Sequence, residues 1–363
     1  MSHAQDPHQP GTALVAGASG IAGSALVDHL TEHGWQVLAL SRSGVPARPG
    51  VTPVAVDLRS PQALGEALAD HRPDVAFVTA WLRQDTEQQN IAVNAGMVRD
   101  LLAALQHAPL RHVALMTGLK HYLGPFEAYG EGELPDTPFH EDEPRLDVEN
   151  FYYAQEDALW EAAARQGFTW SVHRAHTVIG HAVGNAMNMG LTLGVQAALC
   201  RELDRPFVFP GSRTQWDGLT DMTEAGLLAE HMLWAATTPE AADTAFNIAD
   251  GDVFRWRWMW PRLAAHLGVE PQGPADEPQP LAEQMAGLQP VWERVVDRHG
   301  LVERDLGRLA SWWHTDGDLG RRIECLTDMT RSRRAGFTGY RDTLGAFRDL
   351  VDRYRAERVL PPR

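Results

Sequence analysis

The chain reads as a doubly wound α/β fold, a parallel sheet covered by helices on both faces, with a smaller and mostly helical C-terminal cap. Three observations carry this. From residue 11 onward, short apolar and β-branched runs alternate with helix-length amphipathic stretches, the pattern that builds a parallel sheet. A glycine-rich turn stands where the first such run passes into the first helical stretch. After residue 180 the alternation fades, and beyond residue 251 the chain becomes Trp- and Arg-rich with helical spacing.

Residues 1–10 are polar and His-rich, without the charged start and apolar stretch of a signal peptide, and are expected to form a disordered leader. Strands are expected at 12–16, 36–41, 53–56, 74–79, 112–116 and 169–173. Between the first two, Ala22, Leu26 and Leu30 recur at helical spacing and Gly34 supplies a left-handed stop, which makes a βαβ unit. Further on, 205–211 reads as an extended segment, 223–236 as a helix and 246–248 as a strand, while 271–280 is a linker too polar for a core. The expected division is a sheet domain over 11–185, with 213–250 contributing, and a cap made of 186–212 and 251–363. Trp256, Trp258 and Trp260 read as cap core, because indoles bury a large area. Arg331, Arg333 and Arg334 suit a helix C-terminus.

The 363 residues, 44% hydrophobic and 22% charged, suffice for one large α/β domain with a second lobe. Asp plus Glu number 48 against 32 Lys plus Arg, a net charge of -16 that repels phosphate backbones and anionic headgroups, so neither nucleic acid nor membrane is an expected partner. No apolar run approaches a membrane span, and the two separated cysteines, Cys200 and Cys325, suit a reducing cytoplasm. The 16 histidines show neither HExxH nor a His/Cys cluster, so no metal is expected.

The glycine turn is Gly17-Ala18-Ser19-Gly20-Ile21-Ala22-Gly23. Glycines at this spacing let the backbone turn tightly and approach a pyrophosphate, while the N–H groups and positive end of the helix face it, the Rossmann-type device for a dinucleotide. Gly17, Ser19, Gly20, Ile21 and Gly23 are the candidates there. The second strand ends Leu40-Ser41-Arg42-Ser43, with a guanidinium where NAD-selective folds carry a carboxylate. Arg42, aided by Ser41 or Ser43, can pair with a 2'-phosphate, which favours NADPH. Asp57, followed by Leu58, is placed either to meet the adenine amino group or to cap a helix. Thr79, Ala80 and Thr117 stand at later strand ends, and Val178, Ala186 and Met187 at or in the Met-rich 180–194 stretch on the carboxyl edge of the sheet, where ligands bind in open α/β folds.

Two further segments carry chemistry, Thr117-Gly118-Leu119-Lys120-His121-Tyr122-Leu123-Gly124-Pro125-Phe126 and Asn150-Phe151-Tyr152-Tyr153-Ala154-Gln155-Glu156-Asp157. Short-chain dehydrogenases usually place a lysine four residues after the catalytic tyrosine; here Glu156 holds that place and the lysine lies just past the fifth strand. Both segments closely resemble the progesterone 5β-reductase and iridoid synthase family of atypical extended short-chain dehydrogenases/reductases. The resemblance continues through Pro144-Arg145-Leu146, Trp170-Ser171-Val172-His173-Arg174, Phe209-Pro210-Gly211-Ser212, Ala229-Glu230-His231 and Gly251-Asp252-Val253-Phe254. The chain departs from it at Ala175, where proline is common, and at Met116, where glutamine is. The resemblance implies NADPH-dependent 1,4-reduction of α,β-unsaturated ketones or aldehydes, with Tyr152 as hydrogen-bond donor to the developing oxyanion and Lys120 assisting from the nicotinamide ribose. Lacking an ammonium on the next helical turn, the Tyr152 phenol is expected to stay protonated.

Trp81, Phe126 and Met222 are candidates for the pocket of a small apolar enone or enal, each equally suited to core packing, and Tyr153 and Tyr122 read as packing or pocket residues. Glu156 and Asp157 read as residues of the first turns of a helix, favoured by its dipole and without a catalytic task. A carbonyl or alcohol dehydrogenase, or a sugar-nucleotide epimerase or dehydratase, is the enzymatic alternative, although its TyrxxxLys is missing; a non-catalytic NADP-sensing regulator ranks third. A homodimer is expected by analogy with the superfamily alone.

Overall fold

The computed structural model describes residues 10–125, 135–277 and 279–363. Its strands, in chain order, are β1 (Thr12–Ala16), β2 (Gln36–Ser41), β3 (Val51–Ala55), β4 (Val75–Val78), β5 (His112–Gly118), β6 (Thr169–Ala175), the two-residue β7 (Val178–Ile179), β8 (Phe207–Val208) and β9 (Thr223–Glu224), β10 (Thr244–Ile248) and the short β11 (Pro271–Gln272). Between them run α1 (Ile21–Glu32), α2 (Pro61–Leu68), α3 (Glu87–Ala104), α4 (Lys120–Leu123), α5 (Phe151–Gln166), α6 (Met189–Glu202), α7 (Arg213–Asp217), α8 (Ala225–Thr237) and α9 (Trp256–Leu267). Six helices complete the C-terminal part: α10 (Leu281–Gln284), α11 (Gln289–His299), α12 (Leu306–Leu309), α13 (Trp312–Leu319), α14 (Thr330–Arg334) and α15 (Thr343–Ala356).

Seven strands form one sheet in the order β10-β6-β5-β4-β1-β2-β3, and every neighbouring pair is parallel. Successive residues of β1 point to opposite faces, and both faces are dry. Ala13 and Val15 enter a core with Leu26 and Leu30 of α1 and Leu227 and Met232 of α8. Leu14 and Ala16 enter another with Leu64 of α2, Leu101 of α3 and Leu159 of α5. This is the doubly wound α/β architecture that the alternation predicts. The strand order reverses between β1 and β4, so a crevice opens at their carboxyl ends.

A separate core unites α6, α9, α11 and α15 around Trp256, Trp260, Trp292, Phe347 and Tyr354. Trp258 does not join it. It is 44% exposed under the Arg262 guanidinium, 4.1 Å from its ring centroid, because residues 256 and 260 share one helical face and 258 lies on another. The strand expected at 53–56 begins earlier, at Val51, and carries Pro53 within it, which an edge strand tolerates. The expected 271–280 linker starts as a strand, with Pro271 paired to Phe207. The chain after β4 meets the C-terminal part through Arg83, whose guanidinium lies 4.0 Å from the Trp313 ring centroid.

Candidate active site

At the end of β1 the chain reverses at Gly17, φ +97°, and the N–H groups of Gly17 and Ala18 both donate to the Leu40 carbonyl at 3.0 Å. A Cβ on Gly17 would stand 2.9 Å from both Ala80 N and Thr79 Oγ1, and one on Gly23 would run into the Gly17 carbonyl. Only glycine fits either place. Thr79 Oγ1 donates to the Ala16 carbonyl at 3.0 Å, which holds the end of β4 against this turn. Gly20 caps α1 without a side-chain bond, leaving the helix N-terminus to an incoming anion, and Ser19 beside it is exposed. Ile21 turns inward, so only its backbone faces the turn. Residues 180–188 fold back over this helix end: Ser24 Oγ donates to the His181 carbonyl at 3.0 Å, and Asn185 Nδ2 stands 3.5 Å from where a Gly20 Cβ would be. Val178, Ala186 and Met187 flank this return.

At the end of β2, Ser41 Oγ is buried and without a hydrogen-bond partner among the described residues, while Arg42 and Ser43 are exposed. Asp57 is gripped by Arg59, with Nη2 2.6 Å from Oδ2; chiefly these hydrogen bonds, with a smaller push from Arg42, bring its pKa down to about 2. The helix-cap alternative for Asp57 falls, because Ser60 occupies the N-cap position of α2. The Leu58 side chain packs in the core beneath α2, so only its backbone is left to a ligand. The cradle that a Cβ would fill, the uncapped α1 and the orphaned Ser41 hydroxyl fit a dinucleotide.

The catalytic candidates meet at the ends of β5 and β6. Gly118 is wedged there: a Cβ would lie 3.0 Å from the Ala175 carbonyl and 3.3 Å from the Tyr152 hydroxyl, so the missing side chain is what lets that phenol rest on the strand. Tyr152 is 9% exposed; burial, then the Asp318 and Glu87 carboxylates, push its pKa far above the usual tyrosine value. Thr117 Oγ1 is buried without a hydrogen-bond partner among the described residues. Lys120, 4% exposed, begins the short α4.

Asn150 joins the two catalytic candidates, a function that reading the residues singly does not reveal. Its Oδ1 caps α5 by accepting from the Tyr152 N–H at 3.0 Å, and its Nδ2 donates to the Lys120 carbonyl at 2.7 Å. Glu87 Oε1 accepts the Phe151 N–H at 2.7 Å and fixes the same helix start. Trp81 stacks on Phe151, centroids 5.2 Å apart, and its loop is held where the Leu82 N–H and carbonyl bond the Asn94 amide at 2.7 and 2.9 Å.

Other expectations are corrected. Glu156 and Asp157 lie in the second turn of α5 and answer to Arg145 rather than the dipole: Nη2 is 2.8 Å from Glu156 Oε2 and Nη1 2.7 Å from Asp157 Oδ1. Tyr153 is a clamp, not a pocket wall; its hydroxyl donates to the His121 carbonyl at 2.6 Å and accepts the Leu146 N–H at 3.0 Å. Met222 is 2% exposed within the core of the C-terminal part. Tyr122 is also structural, donating to Asn247 Oδ1 at 2.7 Å and stacking on Phe139. Phe126 lies outside the described residues. Among the described residues no His, Cys, Asp and Glu group could hold a metal, and no helix is long and apolar enough to cross a membrane.

Solved structures share this fold at low identity. A UDP-glucose 4-epimerase of Thermotoga maritima matches 95% of this chain and 99% of its own at a TM-score of 0.66 and 14% identity. An epimerase of Methanothermobacter thermautotrophicus matches 96% and 93% at 0.70 and 15%. Sequence relatives are far nearer. An (S)-8-oxocitronellyl enol synthase of Camptotheca acuminata is 37% identical over 96% of this chain and 93% of its own length. A 3-oxo-Δ(4,5)-steroid 5β-reductase of Arabidopsis thaliana is 36% identical over the same shares. Residues 64–361 match the PRISE-like Rossmann-fold domain, and with these relatives along nearly its whole length the chain belongs to that family.

Proposed function

We propose that this protein catalyses the NADPH-dependent 1,4-reduction of the activated C=C bond of α,β-unsaturated ketones or aldehydes. The observation that carries the reading is the Tyr152 phenol, buried against Gly118 and held protonated by burial and by Asp318 and Glu87. A phenol in this state keeps its proton, so it is present as a hydrogen-bond donor and not as a base.

Gly17, Gly20, Gly23, Thr79 and Ala80 would hold the pyrophosphate side of the cofactor, and Ser41, Arg42 and Ser43 the 2'-phosphate; bound NADPH supplies the hydride. Tyr152 donates to the substrate oxygen as hydride arrival at the β-carbon turns the carbonyl into an enolate, so stabilisation grows with the developing charge. Lys120 would supply positive charge beside it, and the Asn150 bridge ties the Lys120 backbone to the start of the Tyr152 helix. The stacked Trp81–Phe151 pair, with Phe151 against the Tyr152 ring, would exclude water from one flank. The helix position that would carry a lysine beside Tyr152 holds Glu156, paired to Arg145, which disfavours the alcohol-oxidising chemistry of an epimerase or alcohol dehydrogenase.

The test is NADPH oxidation with 2-cyclohexenone, an enal, a Δ4-3-ketosteroid and a saturated ketone, with product analysis. Saturated ketones or aldehydes from the unsaturated substrates, lost in Tyr152→Phe, are expected. Turnover of the saturated ketone alone would move the assignment to a carbonyl reductase, and tight NADPH binding without turnover to a sensor.

A further inference from the structure

Helix α13 brings a second polar group to the catalytic pair. His314 and Asp318 lie one turn apart on it, with Nε2 3.6 Å from Oδ2, and each side chain keeps 13% exposure, more than a core position and less than a surface one. Asp318 is anchored from two sides. Thr177 Oγ1, just past β6, donates to Oδ2 at 2.7 Å, and Arg321 pairs with Oδ1. Arg321 Nη1 also lies 2.8 Å from His176 Nε2, and His176 Nδ1 meets Asp221 Oδ1 at 2.6 Å, so the anchor is itself buried and packed against a second ion pair.

Burial opposes the charge on Asp318, but Arg321, His314 and the Thr177 hydroxyl outweigh it and bring the pKa down to about 2. For His314, burial lowers the pKa; Asp318 works against this, while Arg321, Lys120 and Arg83 add to it. His314 Nε2 faces the Asp318 carboxylate at 3.6 Å, beyond hydrogen-bond length. Nδ1 is buried without a hydrogen-bond partner among the described residues. The charges of Lys120 and Asp318 reach His314 and Tyr152 respectively, and Thr177 lies two residues past Ala175, whose carbonyl flanks Gly118 opposite the Tyr152 hydroxyl.

We propose that His314 determines substrate specificity: its buried, unpartnered Nδ1 hydrogen-bonds a hydroxyl on the substrate, so the preferred substrates are hydroxylated enones or enals rather than bare hydrocarbon ones. This rests on the enone-reductase reading and names its substrate class. A buried ring nitrogen facing only C–H groups stays unpaired, and a site built around such a group discriminates more sharply than an apolar wall does.

The experiment measures kcat/KM with saturating NADPH for a linear enal and its derivatives hydroxylated at the γ, δ or terminal carbon. At least one hydroxylated member is expected to exceed the parent by roughly tenfold or more. In His314→Phe that ratio should fall to within about twofold of unity, and His314→Asn, whose side-chain oxygen reaches close to the place of Nδ1, should restore part of it. Each ratio comes from one preparation, so the folded fraction cancels. Equal or lower rates for every hydroxylated member, or a preference that survives in His314→Phe, overturn the proposal and leave the reductase reading intact. Absence of NADPH oxidation with every member overturns both.

Discussion

Replacing Asn150 separates helix capping from the tie to Lys120. Its side chain is 2% exposed and makes two bonds, one to the Tyr152 N–H and one to the Lys120 carbonyl. Asn150→Ala removes an N-cap, worth about 1 kcal/mol. It also removes one donor from the Lys120 carbonyl, which still accepts the Gly124 N–H at 3.0 Å, so this second loss sits near the low end, about 1 kcal/mol. The expected total is about 2 kcal/mol, read by urea unfolding. Asn150→Ser keeps a capping oxygen but cannot reach Lys120, so it should lose about half as much. Turnover should behave differently, because both variants remove the tie that holds the Lys120 carbonyl to the start of α5: kcat is expected to fall in both by about tenfold or more. A serine variant that recovers stability and turnover together would refute the reasoning, since capping alone would then account for Asn150.

Tyr152→Phe should lower kcat at least about 100-fold while NADPH affinity, measured by fluorescence titration, stays within about threefold. Arg42→Ala should reduce kcat/KM for NADPH by roughly 10- to 100-fold and leave NADH nearly unaffected; an unchanged ratio would remove the 2'-phosphate reading. Burial raises the Asp250 pKa from 3.8 to about 7, although the Glu224 N–H and the Thr343 hydroxyl both donate to it. The folded chain thus keeps a proton that the unfolded chain releases, so the linked stability is whole below pH 4, roughly, and is lost as pH rises through about 7, by at most about 4 kcal/mol. Asp250→Asn should flatten the fall in melting temperature between pH 5 and 8, and an undiminished slope would show that another group is responsible.

The sheet is legible because its strands are apolar on both faces, so each shows as an unbroken run, and the glycine turn because nothing larger than hydrogen fits at Gly17 and Gly23. Tyr152 and Lys120 stand out through the resemblance of whole segments; no spacing rule joins them, since they are 32 positions apart and meet through Asn150. What escapes the sequence is made by distant contacts. Arg145 reaches Glu156 from a loop, so the dipole looks sufficient until the guanidinium is seen. Tyr153 and Met222 have the composition of pocket residues, but a hydroxyl bound at both ends and a closed core decide otherwise. His314 carries no local signal, because Lys120 lies far away in sequence and Asp318, one turn on, reads as an ordinary surface acid.

Moving the lysine from the tyrosine's own helix to the start of α4 changes what the tyrosine can do. With the ammonium one turn along the same helix, phenol and cation would be fixed together and the phenolate stabilised. Here that turn holds Glu156, whose charge Arg145 absorbs, and the carboxylates that act on Tyr152, Asp318 and Glu87, favour the neutral phenol, as burial does. With its pKa above the ordinary value near 10, fewer than about one phenol in a thousand is ionised at neutral pH. Oxidising an alcohol needs a base at this atom, whereas reducing an enone needs only a donor, because the proton that completes the reaction goes to carbon. The chain has thus kept the frame it shares with the epimerases and, by exchanging the neighbour of one hydroxyl, turned the site toward donation.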